Sequence, residues 1–131
     1  MKIKLNSIFV DSQDRALAFY TGMLGFKPSK DIPMGQFRWL TVVSPDGHPD
    51  VELVLEPNAN PAAKTYQEAL FQQGIPITAF EVDDLAGEVR RLEAGGVMFT
   101  MRPTDVGAVL IAVFADTCGN LIQMYQPKAH T

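Results

Sequence analysis

The chain has 131 residues, a length that fits one domain or two small modules sharing a core. Because 47% of its residues are hydrophobic, a disordered chain is excluded. Its 11 basic and 15 acidic residues leave a formal charge of -4, so we expect no nucleic-acid partner and a weak preference for neutral or cationic small ligands. The single cysteine excludes an intrachain disulfide. With neither a secretory signal nor a run of ~20 apolar residues, a cytoplasmic protein without membrane association is expected.

The first half of the chain is predicted to form a strand, a helix and three more strands. Alternating, β-branched residues at 3–10 predict the first strand. Ser12 offers an N-cap for a helix at 14–24, which Gly25 is placed to end. The further strands are predicted at residues 26–31, 37–43 and 51–56.

The second half repeats this order after an offset of about 72 residues. Asp83–Asp84 caps a helix at 85–94, as Asp11–Ser12 caps the first one. Strands are predicted at residues 77–82, 97–101, 108–115 and 121–126. We therefore predict a single domain, 1–131, that consists of a module at 1–56, a linker with a connecting helix at 57–76, a second module at 77–127 and a tail at 128–131.

Motifs in both halves resemble a known family. They lie at Asp14–Tyr20 with Leu24–Phe26, Phe80–Leu85, Arg91–Val97 and Asp116–Ile122. Together they resemble the vicinal-oxygen-chelate superfamily, which includes glyoxalase I, bleomycin-resistance proteins, fosfomycin-resistance enzymes and extradiol dioxygenases. The resemblance implies an α+β fold of two paired βαβββ modules, in which the strands form an incomplete β-barrel around a ligand cavity and the helices lie outside. It also implies a homodimer, but the fold does not decide the chemistry.

Enzymes of that superfamily place a divalent metal on inward-facing residues of four strands. Counted from the helix starts, these positions fall on Leu5, Glu52, Ile77 and Gln123. Two of the four are aliphatic and cannot bind a cation. The two histidines do not complete the site, because His48 lies in a Pro/Gly turn and His130 in the tail. We therefore expect no metal site and no other cofactor.

Glu52 is the candidate catalytic residue. Strand alternation places it on one face with Val54 and Glu56. If the opposite face packs under the helices, Glu52 points into the cavity beside Leu5 and Ile77, where desolvation raises its pKa. Such a carboxylate suits a general base or an anchor for a cationic ligand. The alternative is a structural carboxylate that is hydrogen-bonded to Gln123, Tyr125 or Arg38.

The candidate ligand-binding residues lie on the same inner faces. Gln123 and Tyr125 share one face of the last strand and offer an amide and a phenol, unless they satisfy buried backbone groups instead. Trp39 offers a ring for stacking, with a place in the core as its alternative. Leu5 and Ile77 are predicted to form apolar walls of the cavity.

Three functions remain open at this point. The first is a metal-free protein that binds a small molecule in the cavity, in the manner of the drug-sequestering members of the superfamily. The alternative is a glyoxalase-type lyase or isomerase with Glu52 as general base, with or without a weakly bound metal. The third is a dimeric scaffold whose cavity is vestigial. We favour the first, because two metal positions are aliphatic and the inner faces are apolar and aromatic.

Overall fold

The computed structural model describes residues 1–128, and the predicted tail, with His130, lies outside them except for Lys128. The chain divides into two compact units, Met1–Gln67 and a second that begins at Glu68, so the boundary falls inside a helix at Pro61–Gln73 (α2). Each unit contains one βαβββ module with an unclosed four-stranded sheet. The predicted α+β class and the two modules are confirmed. Within residues 1–128 no helix is long and apolar enough to cross a membrane.

The first module has a helix, α1, at Gln13–Ala18, and its sheet has the order β1-β4-β3-β2. Its strands are β1 (Leu5–Val10), β2 (Lys27–Met34), β3 (Phe37–Val43) and β4 (Glu52–Pro57). The strands β1 and β4 pair in parallel, and the other pairs are antiparallel. The buried core contains Ile8, Val10, Leu40, Val42 and Leu55 from the sheet, with Ala16 and Tyr20 from the helical segment. Leu55 of β4 is fully buried on the side of α1, where the Gln13 side chain donates to its carbonyl, so Glu52 lies on the opposite face of the strand.

The first helix differs from the prediction in its second half. The Ser12 side chain caps it as predicted, by accepting a hydrogen bond from the Arg15 N–H. After Ala18 the chain continues as a π-helix at Phe19–Met23 rather than as an α-helix. The Thr21 hydroxyl donates to the Leu17 carbonyl at 2.6 Å, and such side-chain bonds compete with the backbone ladder.

The second module repeats the arrangement with α3 (Leu85–Ala94) and the strand order β5-β8-β7-β6. Its strands are β5 (Thr78–Glu81), β6 (Phe99–Asp105), β7 (Val109–Ala115) and β8 (Leu121–Pro127). Leu85, Val89 and Leu92 of α3 are buried, as their helical spacing predicted. The strand β6 begins and ends later than predicted, and its pairing with β7 is irregular around Pro103, which has no N–H to donate.

Candidate functional site

The sheet of the first module has one face packed against α1 and a second face turned away from it, the far face. Strand register determines which side chains share the far face, because directly paired residues project to the same side. Leu5 pairs with Glu52, Val54 with Thr41, and Lys30 with Thr41. Residues two and four positions along each strand share this face, as does Lys27, the register partner of Val43. The far face therefore contains Leu5, Ser7, Phe9, Lys27, Lys30, Ile32, Met34, Phe37, Trp39, Thr41, Val43, Glu52, Val54 and Glu56.

Glu52 is held by an ion pair and a hydroxyl on this face. The Lys30 Nζ donates to Glu52 Oε1 at 2.8 Å and to Oε2 at 2.6 Å. The Thr41 hydroxyl donates to Glu52 Oε1 at 2.7 Å and accepts a hydrogen bond from the Lys30 backbone N–H at 3.0 Å. Thr41 is fully buried, at 0% exposure, beneath the two charged side chains. Residues from three strands therefore form one connected polar group.

These contacts change the acidity of Glu52 in the direction opposite to the prediction. The hydrogen bonds from Lys30 and then Thr41, with a smaller influence of the nearby Ser29 hydroxyl, lower the pKa of Glu52 from 4.5 to about 2. Burial acts the other way and raises the pKa, but it is outweighed. The expectation of a raised pKa is therefore wrong, because the sequence did not reveal the ammonium beside the carboxylate. Glu52 is ionised at neutral pH and is a weak base.

One of the structural partners predicted for Glu52, Arg38, does not contact it. Arg38 lies on the α1 side of the sheet, where its guanidinium forms ion pairs with Asp14 and with Asp31, the latter at 3.0 Å. The proposed contact between Glu52 and Arg38 is therefore wrong, since Arg38 and Glu52 occupy opposite faces. On the far face, Lys30 and Thr41 hold Glu52 where Arg38 had been proposed, and the proposed contacts with Gln123 and Tyr125 stay predictions.

Apolar side chains surround the polar group on the far face. Trp39 is half-buried and pairs across the β2–β3 ladder with Ile32. The exposed apolar residues of the face are Leu5, Ile32, Met34 and Phe37. Ile32, Met34 and Phe37 lie next to one another on β2 and β3, and exposed apolar residues grouped in this way mark binding surfaces. The predicted stacking role of Trp39 stays a prediction, and its position on this face is compatible with it.

The second module places its candidate residues on the face turned away from α3. Gln123 and Tyr125 are half-buried and lie on one face of β8, opposite the buried side chains of Ile122 and Met124. Gln123 pairs with Ala79 of β5, whereas Ile77 lies two residues earlier and donates its N–H to the Leu121 carbonyl. The predicted residue Ile77 and the observed register partner of Gln123, Ala79, both have aliphatic side chains.

The donors present do not fit the divalent metal that the fold family implies. Leu5 is the direct register partner of Glu52 and offers no lone pair. Both oxygens of Glu52 already accept hydrogen bonds from an ammonium. In the second module Ile77 offers no donor, and the amide of Gln123 is a weak ligand. Among residues 1–128, no three His, Cys, Asp or Glu side chains are grouped to hold a metal ion.

Sequence reasoning found Glu52 but missed Lys30 and Thr41. Strand alternation could have placed Thr41 on the face of Trp39, since the two are separated by one residue. It could not have placed Lys30, because the register of β2 shifts between Pro28 and Lys30. A shift of one residue moves a side chain to the other face of a sheet.

Comparisons with known proteins identify relatives over nearly the whole chain. The sequence profile of the Glyoxalase/Bleomycin resistance protein/Dioxygenase superfamily matches residues 2–124. The uncharacterized protein YurT from Bacillus subtilis (strain 168) is 57% identical over 126 residues, which are 96% of this chain and 99% of that protein.

Solved structures agree with this match. UcmS2 superposes with a TM-score of 0.81 at 31% identity, with 95% of this chain and 97% of that chain covered. TnmS3, described as an antibiotic binding protein from Streptomyces sp. CB03234, has a TM-score of 0.77 at 27% identity, with 98% and 97% covered.

Proposed function

We propose, because the chain belongs to the Glyoxalase/Bleomycin resistance protein/Dioxygenase superfamily, that it binds a small apolar or aromatic molecule on the far face of the first module. The proposed binding requires no divalent metal. The protein would hold the molecule without chemically changing it. Aliphatic and aromatic side chains provide the contact area, and the Lys30–Thr41–Glu52 group is the polar centre.

One observation supports binding most directly: the Glu52 carboxylate on the far face already receives its hydrogen bonds from within the protein, and exposed apolar side chains share that face. The two oxygens of Glu52 accept three hydrogen bonds, from Lys30 and Thr41. The exposed apolar side chains Ile32, Met34 and Phe37 lie on the same face. A surface of this kind gains free energy when a ligand covers its apolar area, at about 25 cal/mol per Å².

A similar protein supports the same proposal. TnmS3 is described as an antibiotic binding protein, and its chain and this one cover each other almost completely. We extend this activity as a class, the binding of a small molecule, to this chain and leave the ligand itself open.

The alternative, a lyase or isomerase with Glu52 as general base, requires a carboxylate that takes up a proton near neutral pH. The pKa of Glu52 is lowered to about 2 by Lys30 and Thr41, so the carboxylate removes protons poorly. Both of its oxygens would also have to leave their present donors before they could reach a substrate. For these reasons we favour binding over turnover.

The experiment uses N-phenyl-1-naphthylamine, a neutral apolar fluorophore, and measures its binding by fluorescence titration. The wild-type protein is expected to bind it saturably. Ile32→Thr keeps the β-branched shape and removes apolar area from the far face, so the dissociation constant should rise several-fold. Val106→Thr, which makes a similar change at an exposed position of the second module, is the matched control. Absence of saturable binding, or an equal effect of the two variants, would contradict the proposal.

A further inference from the structure

The hydrogen bonds around Glu52 leave one polar group free to meet a ligand. Glu52 Oε1 accepts from both Lys30 and Thr41, and Oε2 accepts from Lys30 at 2.6 Å. The carboxylate side chain is only 15% exposed, whereas the Lys30 side chain is 47% exposed. Therefore the accessible part of this ion pair is the ammonium and not the carboxylate.

The ammonium of Lys30 retains donor capacity. An ammonium group has three N–H donors, and Glu52 accepts two of them. Within residues 1–128, no further acceptor is present for the third. A ligand on the far face would thus meet a cationic N–H donor beside Trp39 and Ile32.

The donor is also fixed in position. The Thr41 hydroxyl accepts from the Lys30 backbone N–H and donates to Glu52, so the backbone and the head group of Lys30 are tied to the same network. A lysine side chain normally loses considerable rotamer entropy when it binds a ligand. Here much of that loss has already occurred on folding, which favours specific recognition.

We propose that Lys30 determines ligand specificity by donating its free N–H to an oxygen acceptor on an otherwise apolar ligand, such as a sulfonate, carboxylate, phenolate or carbonyl oxygen. The inference rests on the proposed function of the far face. It identifies the polar end of the ligand as an oxygen acceptor. The ligand preference is thus opposite to the preference for cationic ligands that the net charge of the chain favours. The formal charge of -4 produces only a weak long-range field, whereas Lys30 would touch the ligand.

Two fluorophores that differ by one anionic group test the inference. One is 8-anilino-1-naphthalenesulfonate, and the other is N-phenyl-1-naphthylamine, which has the same aromatic frame without the sulfonate. In the wild-type protein the sulfonate is expected to bind about tenfold more tightly, since a charge-assisted hydrogen bond contributes an effect of that order. Lys30→Met should abolish this difference, so that the two probes bind the variant with affinities within about twofold of each other. Lys64→Met, on the exposed side of α2, is the charge-matched control and should retain the difference.

Two further variants separate recognition from structural damage. Since Lys30→Met leaves the Glu52 carboxylate without its cation, the double variant Lys30→Met/Glu52→Gln removes both charges and should show the same loss of discrimination. Glu52→Gln alone leaves the ammonium without its counter-charge, so it should bind the sulfonate several-fold more tightly than the wild type. Unchanged near-ultraviolet circular dichroism verifies that each variant is folded.

The outcomes distinguish this inference from the proposed function. Equal affinities of the wild type for the two probes, or a difference that persists in both Lys30 variants, would overturn the role of Lys30. Weaker sulfonate binding in Glu52→Gln would also overturn it. If neither probe binds the wild type at all, the proposed function itself fails.

Discussion

Lys30 and Glu52 form an ion pair across a strand that lies between them. Lys30 lies on β2 and Glu52 on β4, and β3 separates the two strands. Two strand spacings put their backbones about 10 Å apart. The side chains nevertheless meet at 2.6 Å, directly above the buried Thr41 of β3. A small residue at position 41 therefore leaves room for the pair, and its hydroxyl links the pair to the sheet.

Glu52→Gln is expected to make the stability of the protein less dependent on pH. The pKa of Glu52 is lowered from 4.5 to about 2. Its contribution to the free energy of unfolding is therefore fully present above pH 4.5 and is lost as the pH falls toward 2. That contribution is at most about 3 kcal/mol. Urea unfolding at pH 7 should show the variant to be less stable, and the difference should shrink to roughly half or less at pH 3.

Glu56→Gln is the control for that measurement. Glu56 lies on the same face of the same strand, and its carboxylate has no hydrogen-bond or ion-pair partner among residues 1–128. Its substitution should change stability by less than about 0.5 kcal/mol at either pH. A wild-type minus Glu52→Gln difference that is equal at pH 7 and pH 3 would show that Glu52 is not held as an ionised group.

Thr41→Val should destabilise the first module although it preserves the shape of the side chain. The change removes the donor to Glu52 Oε1 and the acceptor for the Lys30 backbone N–H. Loss of these bonds at a fully buried position should cost about 1–3 kcal/mol in the free energy of unfolding. The pKa of Glu52 should also rise, as followed by the ¹³C shift of its carboxyl carbon. Thr100→Val, at an exposed position of β6, should be close to neutral.

The fold could be predicted because each local pattern agreed with the next. The Ser12 and Asp84 caps, the spacing of Leu85, Val89 and Leu92, and the repeated order of elements all pointed to two βαβββ modules. Local patterns of this kind depend on residues close together in the chain. Alternation along β4 likewise separated Glu52 from the buried Leu55.

The chemistry of the site could not be predicted in the same way. The contact between Lys30 and Glu52 depends on strand order, on the shifted register of β2 and on the small side chain between them. None of these follows from periodicity, and so desolvation was the only influence on Glu52 that the sequence revealed. Periodicity also does not determine the register between β5 and β8, so the pairing of Ala79 with Gln123 could not be predicted.

Asp116→Ala is expected to destabilise the β7–β8 turn strongly. Asp116 is fully buried, and its carboxylate accepts hydrogen bonds from the N–H groups of Cys118 at 2.8 Å and Asn120 at 3.0 Å. Its second oxygen accepts from Asn120 Nδ2 at 2.8 Å. Loss of the acceptor should lower the free energy of unfolding by about 2–4 kcal/mol. Asp105→Ala, which removes a solvent-exposed ion pair with Lys128 and a hydrogen bond from the Gly107 N–H, should have a much smaller effect in the same urea titration.

Arg38→Gln should lower the free energy of unfolding only slightly, and high salt should reduce that loss. Arg38 joins β3 to Asp14 of α1 and to Asp31 of β2, and these carboxylates raise the pKa of its guanidinium. Its side chain is partly exposed, so we expect a loss of about 1 kcal/mol or less at low ionic strength. In 1 M NaCl, where the screening length is about 3 Å, the loss should shrink further. Arg15→Gln, which breaks the exposed pair with Asp11, should be nearly neutral throughout, and a larger effect than that of Arg38→Gln would contradict the prediction.

The metal content of the protein tests whether Glu52 and its neighbours on the far face can hold a divalent metal ion. After incubation with Zn, Ni, Mn or Fe(II) and dialysis, mass spectrometry should find well below one metal ion per chain. The reason is that Leu5, the register partner of Glu52, provides no lone pair, and Lys30 occupies both carboxylate oxygens. Leu5→His adds an imidazole beside Glu52, so this variant should retain more metal than the wild type. One full equivalent in the wild type would mean that metal binding displaces Lys30 from Glu52, and the case for a glyoxalase-type enzyme would then be stronger than the case for a binding protein.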